Sequence, residues 1–281
     1  MKKILLSLVA FFIGIGAVMA QDAHEPGIVR ILAIGNSFSE DALDSHFYGL
    51  CEAAGKKVIV GNMIIGGCSV ERHYLNARTD SADYRFRRIG LNGKKISVDK
   101  VRPTEAIGSD DWDYVSFQQA SHYSGKYGTY KDLAALIAFV DSLTPDKTRY
   151  MWHQTWAYAP GSTHGAFPDY GSEQTVMYDS IMSASRRVMT DNGSLSIIIP
   201  SGTAIQYARD MSGNPDLTRD GYHLDYIIGR YIASCTWFEA VFGESVVGNS
   251  YVPAGLTAVQ ARMAQEAAHA ACLDPFGEKR R

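Results

Sequence analysis

Short β-branched runs recur along this 281-residue chain, and helical stretches separate them. That alternation restricts the fold more than any other feature. Ile28–Ile34 (IVRILAI) is a nearly continuous apolar run, the pattern of a strand buried on both faces. Val58–Ile65, Asp113–Gln118, Thr148–Gln154 and Leu195–Pro200 read as four further strands. Helices are expected over Glu40–Gly55, Tyr130–Leu143, Ser172–Asn192, His223–Phe242 and Thr257–Cys272. Gly55 and Gly193 suit helix ends, and Pro145 stops the helix before it. Repeated βα units joined by crossover helices imply an α/β fold with a parallel sheet covered on both sides. Between the second and third strands, Tyr84–Ile89 and Lys95–Val101 flank Leu91-Asn92-Gly93. Asn-Gly between two such runs signals a β-hairpin, expected beside the main sheet. No Pro/Ser-rich linker and no internal repeat appears, so residues 21–281 read as one domain.

The opening MKKILLSLVAFFIGIGAVMA has the three parts of an export signal. Lys2 and Lys3 are basic, Ile4 to Val18 is apolar, and Val18-Met19-Ala20 sets small residues at the −3 and −1 positions. The alternative, a membrane anchor, needs a longer apolar run. Residues 1–20 are therefore expected to be removed, and the protein to be periplasmic or extracellular with no membrane span left. The whole chain has a formal charge of −3, and removing residues 1–20 takes away two lysines and no acid, leaving −5. Nucleic-acid binders carry a basic excess, so that class is disfavoured. Export makes disulfides possible. Cys51, Cys68, Cys235 and Cys272 allow three pairings; a Cys235–Cys272 bridge and buried free thiols both remain open.

In open parallel sheets, ligands bind at the carboxyl ends of the strands. The first strand runs into Gly35-Asn36-Ser37-Phe38-Ser39 and then a helix. A serine at such a turn has its backbone N–H where a developing anion can be held. Alternatively, Ser37 or Ser39 is only a helix N-cap. Near the other end, Asp220-Gly221-Tyr222-His223 precedes a helix. An Asp three residues before a His can hold the imidazole in one tautomer and stabilise its charged form. With a serine, the two make the minimum set for activating a hydroxyl nucleophile.

These motifs together resemble the SGNH, or GDSL-type, hydrolase superfamily, and in particular a secreted bacterial branch known as a domain of unknown function. Ser37 matches the nucleophile of the first block, with Asn36 where Asp is commoner, and Asp220 and His223 match the D-x-x-H of the last block. The resemblance implies a flavodoxin-like three-layer α/β/α sandwich with a parallel five-stranded central sheet, and ester hydrolysis. It also implies an oxyanion hole: the N–H of Ser37, the N–H of Gly67 after the second strand, and an Asn side chain after the third. The chain departs at this last position, reading Ser116-Phe117-Gln118-Gln119-Ala120-Ser121-His122 with no G-x-N-D. His122 lies where the Asn is expected, but Gln119 carries the needed amide on a longer arm and is the expected donor on chemistry. The rival α/β-hydrolase elbow requires G-x-S-x-G, which the first strand does not supply.

After the fourth strand, Trp152-His153-Gln154-Thr155-Trp156-Ala157-Tyr158 could stack on and hydrogen-bond a sugar, or could simply pack. His122, Gln154 and Trp156 are the candidate substrate contacts. The remaining histidines show no H-E-x-x-H spacing, and no G-x-G-x-x-G follows the first strand, so neither a metal nor another cofactor is expected. The leading expectation is a secreted serine esterase acting on an acyl ester, with O-acetyl groups on a carbohydrate as one candidate substrate. A glycan-binding protein on the same scaffold, and acyl transfer to another hydroxyl, are the alternatives. The expected partner is a small-molecule or glycan ester.

Overall fold

The computed structural model describes residues 27–213 and 215–280. The export signal read at residues 1–20 lies outside them. Among the described residues no helix is long and apolar enough to cross a membrane.

Seven strands form one sheet: β1 (Ile28–Gly35), β2 (Lys57–Ile64), β3 (Tyr84–Ile89), β4 (Lys95–Val101), β5 (Tyr114–Phe117), β6 (Arg149–His153) and β7 (Leu195–Ile199). Their order is β4-β3-β2-β1-β5-β6-β7. The five strands β2, β1, β5, β6 and β7 run parallel. That is the flavodoxin-like arrangement, in which the connections reverse direction beside β1 and leave a crevice at the strands' carboxyl ends. The sheet has seven strands rather than five because β3 pairs antiparallel with β2, with Met63 opposite Phe86 and Ile64 opposite Arg85. The hairpin is thus part of the main sheet, and it covers the flank of β2. Unpaired strand edges invite association, and the outermost strand here is polar and mostly exposed. Gly93 makes the turn with φ +70°.

Alternate residues of β1 enter different cores. Ile31 and Ala33 pack with Phe38, Leu43, Phe47 and Trp237 on one face, whereas Leu32 and Ile34 pack with Trp112, Phe117 and Trp152 on the other. The first face is covered by α1 (Ser37–Leu43), α2 (Phe47–Ala53), α7 (Ser201–Met211), α8 (Ile228–Phe242) and α9 (Ala258–Leu273). The second is covered by α3 (Val70–Thr79), α4 (Pro103–Ile107) and α5 (Leu133–Asp141). The long α6 (Gln174–Asp191) contributes to both, with Met177 and Ile181 in one core and Val188 in the other.

The helix expected over Glu40–Gly55 is two. The first ends at Leu43, where Asp44 N–H still bonds Glu40 O as the C-cap and the Asp44 carboxylate pairs with Arg87 of the hairpin at 2.5 Å. Helices α3, α4 and α7 were not legible from periodicity. The last opens with Ser201-Gly202-Thr203, residues of low helix propensity, and its helicity comes from packing Ala204, Ile205 and Ala208 into the core.

Candidate active site

β1 ends at Gly35, and Asn36 caps α1 by accepting from Phe38 N–H at 2.9 Å. Neither Ser37 nor Ser39 is the cap. Ser39 Oγ lies 2.8 Å from both Asn36 O and Asn62 Oδ1, inside the protein. A Cβ at Gly35 would fall 2.5 Å from Ser39 Oγ and 2.7 Å from Gln118 Oε1, so only glycine fits under this turn. Ser37 is left free, and its Oγ lies 2.8 Å from His223 Nε2.

Asp220 Oδ1 accepts from the backbone N–H of His223 at 2.8 Å and of Tyr222 at 3.2 Å, while Oδ2 lies 2.7 Å from His223 Nδ1. An ionised carboxylate only accepts, so neutral His223 carries its proton on Nδ1. Nε2 is then the acceptor, and Ser37 donates to it. Partial burial works against ionisation of Asp220, but the hydrogen bonds from His223 and Tyr222 outweigh it and hold the carboxyl below its ordinary range. The turn needs Gly221, whose φ is +87° and whose missing Cβ would meet Ser162 Oγ at 2.9 Å.

Contacts from Trp156, Ala159 and Asp41 place this loop over Ser37, and one within the loop braces it. Trp156 Nε1–H donates to Tyr222 O at 2.7 Å, and Ala159 N–H to Gly221 O at 2.8 Å. Arg219 N–H donates to His223 O at 2.9 Å. Buried Asp41 of α1 accepts from Leu224 N–H at 2.9 Å and pairs with Arg219 at 3.0 Å and Arg230 at 2.6 Å. The helix that begins at Ser37 therefore also holds the loop that carries His223. An acidic residue in a helix face otherwise occupied by Phe38 and Ala42 was the sequence signal for this role.

Gly67 lies exposed beyond β2, with φ +61°. Asn36 Nδ2–H donates to Cys68 O at 3.1 Å, which ties the Gly66-Gly67 turn to the serine turn. Gln119 does not supply the amide expected of it. It is fully buried; Oε1 accepts from Val70 N–H and Ala120 N–H, both at 2.9 Å, and Nε2 donates to Thr129 O and Oγ1, both at 3.1 Å. Every group of this side chain is committed, tying the loop after β5 to α3 through Val70 and to Thr129.

Its neighbour Gln118 holds a position not anticipated from the sequence. Its Nε2–H donates to Asn36 Oδ1 at 2.7 Å, and its Oε1 lies 3.1 Å from His153 Nδ1. His153 is completely buried, and burial pushes its pKa down to about 3, so it is neutral. Because Oε1 can only accept, Nδ1 carries the proton, and Nε2 accepts from Ser201 Oγ at 3.0 Å. A chain of one-way hydrogen bonds thus runs Ser201, His153, Gln118, Asn36, Cys68 across the carboxyl edge of the sheet beneath Ser37. The signal was available: polar residues closing strands that are otherwise apolar.

Two expected substrate contacts are corrected. Trp156 is fully buried and stacks on Phe38 at 4.1 Å, so it serves the Tyr222 carbonyl rather than a ligand. Gln154 is also fully buried, accepting from Thr203 N–H at 3.0 Å and donating to Pro275 O at 3.1 Å. His122 is half-buried, in ring contact with Tyr123 and His164. All four cysteines are free, so no Cys235–Cys272 bridge forms. Burial pushes all four thiols up, Cys68 to about 12, so all four stay protonated and weakly nucleophilic. Among the described residues no cluster of His, Cys, Asp or Glu could hold a metal.

The strand order, with a serine turn after the first strand and an Asp-x-x-His loop after the last, sits on a fold shared with solved structures described as SGNH or GDSL-type hydrolases. Structures of that type match the chain as a fold. A protein described as a GDSL-like lipase from Parabacteroides merdae has 15% identity and a TM-score of 0.51, covering 75% of this chain and 94% of that one. A mutant of Axe2, an acetyl-xylooligosaccharide esterase from Geobacillus stearothermophilus, has 12% identity and a TM-score of 0.50, covering 77% and 95%. More specifically, the chain belongs to the family described as Domain of unknown function (DUF4886), which matches residues 30–271. A family member from Bacteroides uniformis has a crystal structure that is 44% identical, with a TM-score of 0.86 over 89% of this chain and 96% of that one. No match was found among curated proteins.

Proposed function

We propose that this protein is a serine esterase that hydrolyses an acyl ester, an O-acetyl group on a carbohydrate being the substrate class that fits best. We place it outside the cytoplasm, because residues 1–20 read as an export signal. The observation that carries the reading is the unbroken line from Ser37 Oγ to His223 Nε2 at 2.8 Å and from His223 Nδ1 to Asp220 Oδ2 at 2.7 Å. Ser37 Oγ attacks the acyl carbon while His223 Nε2 takes its proton. Asp220 keeps the imidazole in the accepting tautomer and offsets the charge it gains. The tetrahedral oxyanion is held by the N–H groups of Ser37 and Gly67. Neither N–H makes a hydrogen bond among the described residues. His223 returns the proton to the leaving alkoxide, which departs as the alcohol. Water then attacks the acyl-serine with His223 as base, releasing the carboxylic acid and restoring Ser37.

The test is covalent labelling with a fluorophosphonate, together with hydrolysis of p-nitrophenyl acetate. Both are expected in the native protein and lost in Ser37→Ala. Labelling that persists in Ser37→Ala, or a native protein that neither labels nor hydrolyses any ester in a chain-length panel, overturns the reading and leaves the binding-protein alternative.

A further inference from the structure

Four rings extend outward from the base. Tyr222 lies against His223 at 4.2 Å between centroids, His164 meets Tyr222 edge-on at 4.8 Å, and His122 stacks on His164 at 6.3 Å. Tyr123 then packs on His122 at 4.1 Å. All four are partly exposed. Beneath them fully buried Tyr158 touches His164 at 4.7 Å and Tyr222 at 5.7 Å, and buried Tyr170 donates from its hydroxyl to His122 O at 3.2 Å. The row is therefore held rigid from below, and little side-chain freedom remains to be lost on binding.

Its polar tips are uncommitted. His164 Nδ1 accepts from Ala166 N–H at 3.1 Å, so the neutral ring carries its proton on Nε2, and that N–H makes no hydrogen bond among the described residues. The same holds for both ring nitrogens of His122 and for the hydroxyls of Tyr222 and Tyr123. Burial is the main cause that pushes both imidazoles down, aided at His164 by the charge of His223 and at His122 by those of His164 and Lys126. The ammonium of Lys126, over the Tyr123 face, is paired with Asp169 at 2.6 Å. The row thus offers ring faces and neutral donors and acceptors, with no unpaired charge.

We propose that Tyr222, His164, His122 and Tyr123 form the leaving-group subsite of the esterase, and that its occupant is an uncharged sugar. This rests on the esterase reading above. The side is set by proton transfer: the departing oxygen must take its proton from His223 Nε2, and the row begins at the ring next to His223. The class is set by complementarity. The C–H face of a pyranose covers the rings, and its hydroxyls meet the tips. An alkyl chain would bury those tips unpaired, which is costly, and an anionic sugar would find no free cation.

The experiment compares an acetylated neutral xylo-oligosaccharide with p-nitrophenyl acetate, whose leaving group carries no hydroxyl to meet the tips. His164→Leu keeps the bulk and removes the donor. It should lower kcat/KM for the oligosaccharide at least tenfold more than for the aryl ester, mostly through KM. Calorimetry of Ser37→Ala with the same oligosaccharide should show binding that adding His164→Leu weakens about tenfold. Parallel losses on both esters, equal binding in both variants, or no binding by Ser37→Ala overturns the subsite. A stronger preference for acetylated uronic-acid oligosaccharides or long-chain esters overturns the assignment of a neutral sugar. Failure of the esterase reading is recognised separately, by a native protein that hydrolyses neither ester.

Discussion

Gln118→Leu removes the middle link of the hydrogen-bond chain beneath Ser37 while keeping nearly the same volume. Two bonds are lost, the 2.7 Å bond to Asn36 Oδ1 and the 3.1 Å bond from His153 Nδ1. Asn36 retains an acceptor role toward Phe38 N–H, but the His153 N–H is left buried with no acceptor. A net hydrogen bond contributes about 1 kcal/mol, and a stranded buried donor costs about 1–3 kcal/mol, so the variant should lose roughly 2–4 kcal/mol. For a domain of this size that is about 4–16 °C in Tm. Catalysis should fall as well, because Asn36 orients both the serine turn and the Cys68 carbonyl. A loss of about tenfold in kcat corresponds to a small displacement of reacting groups. Thermal melting and p-nitrophenyl acetate kinetics on Gln118→Leu, His153→Phe and the double variant read all of this. The double variant strands no polar group between the two positions, so its loss should be smaller than the sum of the single losses. A Gln118→Leu protein melting within about 2 °C of native, or strictly additive losses, refutes the directional chain.

Asp220→Asn should keep the fold but lower kcat on the order of a thousandfold or more, since an amide can hold the wrong imidazole tautomer; a loss under about tenfold would contradict the assigned role. Gln119→Ala should act on stability first, by about 2–4 kcal/mol, because it strands Val70 N–H and Ala120 N–H. A stable Gln119→Ala protein with strongly reduced kcat would instead restore Gln119 as an oxyanion donor. Stability should also fall with acid: burial pushes His73 and His153 down to about 3 in the fold, against about 6.5 in the unfolded chain. Between those values the unfolded state binds the extra protons, so each group removes up to about 1.4 kcal/mol per pH unit as pH falls below about 6.5. A urea midpoint unchanged from pH 7 to pH 5 would show that these imidazoles are not buried neutral.

The five parallel strands, the hairpin and the residues of the Ser–His–Asp array were legible because each depends on local pattern. β-Branched runs mark strands, Asn-Gly marks a tight turn, and Asp220 reaches His223 within one loop. The positive φ of Gly221 is also local to its turn, whereas the crowding that demands glycine at 35 and 221 comes in part from distant residues, Gln118 and Ser162. What decided the rest is burial, which depends on which segments meet. Gln118 and Gln119 are the same residue type side by side just beyond β5, yet one bonds Asn36 and His153 while the other bonds Val70 of α3 and Thr129. Trp156 and His164 are both rings in the loop after β6, yet Trp156 is sealed against Phe38 while His164 faces outward beside Tyr222. Asp41 holds Arg219 across 178 positions of sequence, and no periodicity reports such a pairing. Chemical identity can be read along the chain, but exposure and partners follow from packing the two cores on either side of the sheet.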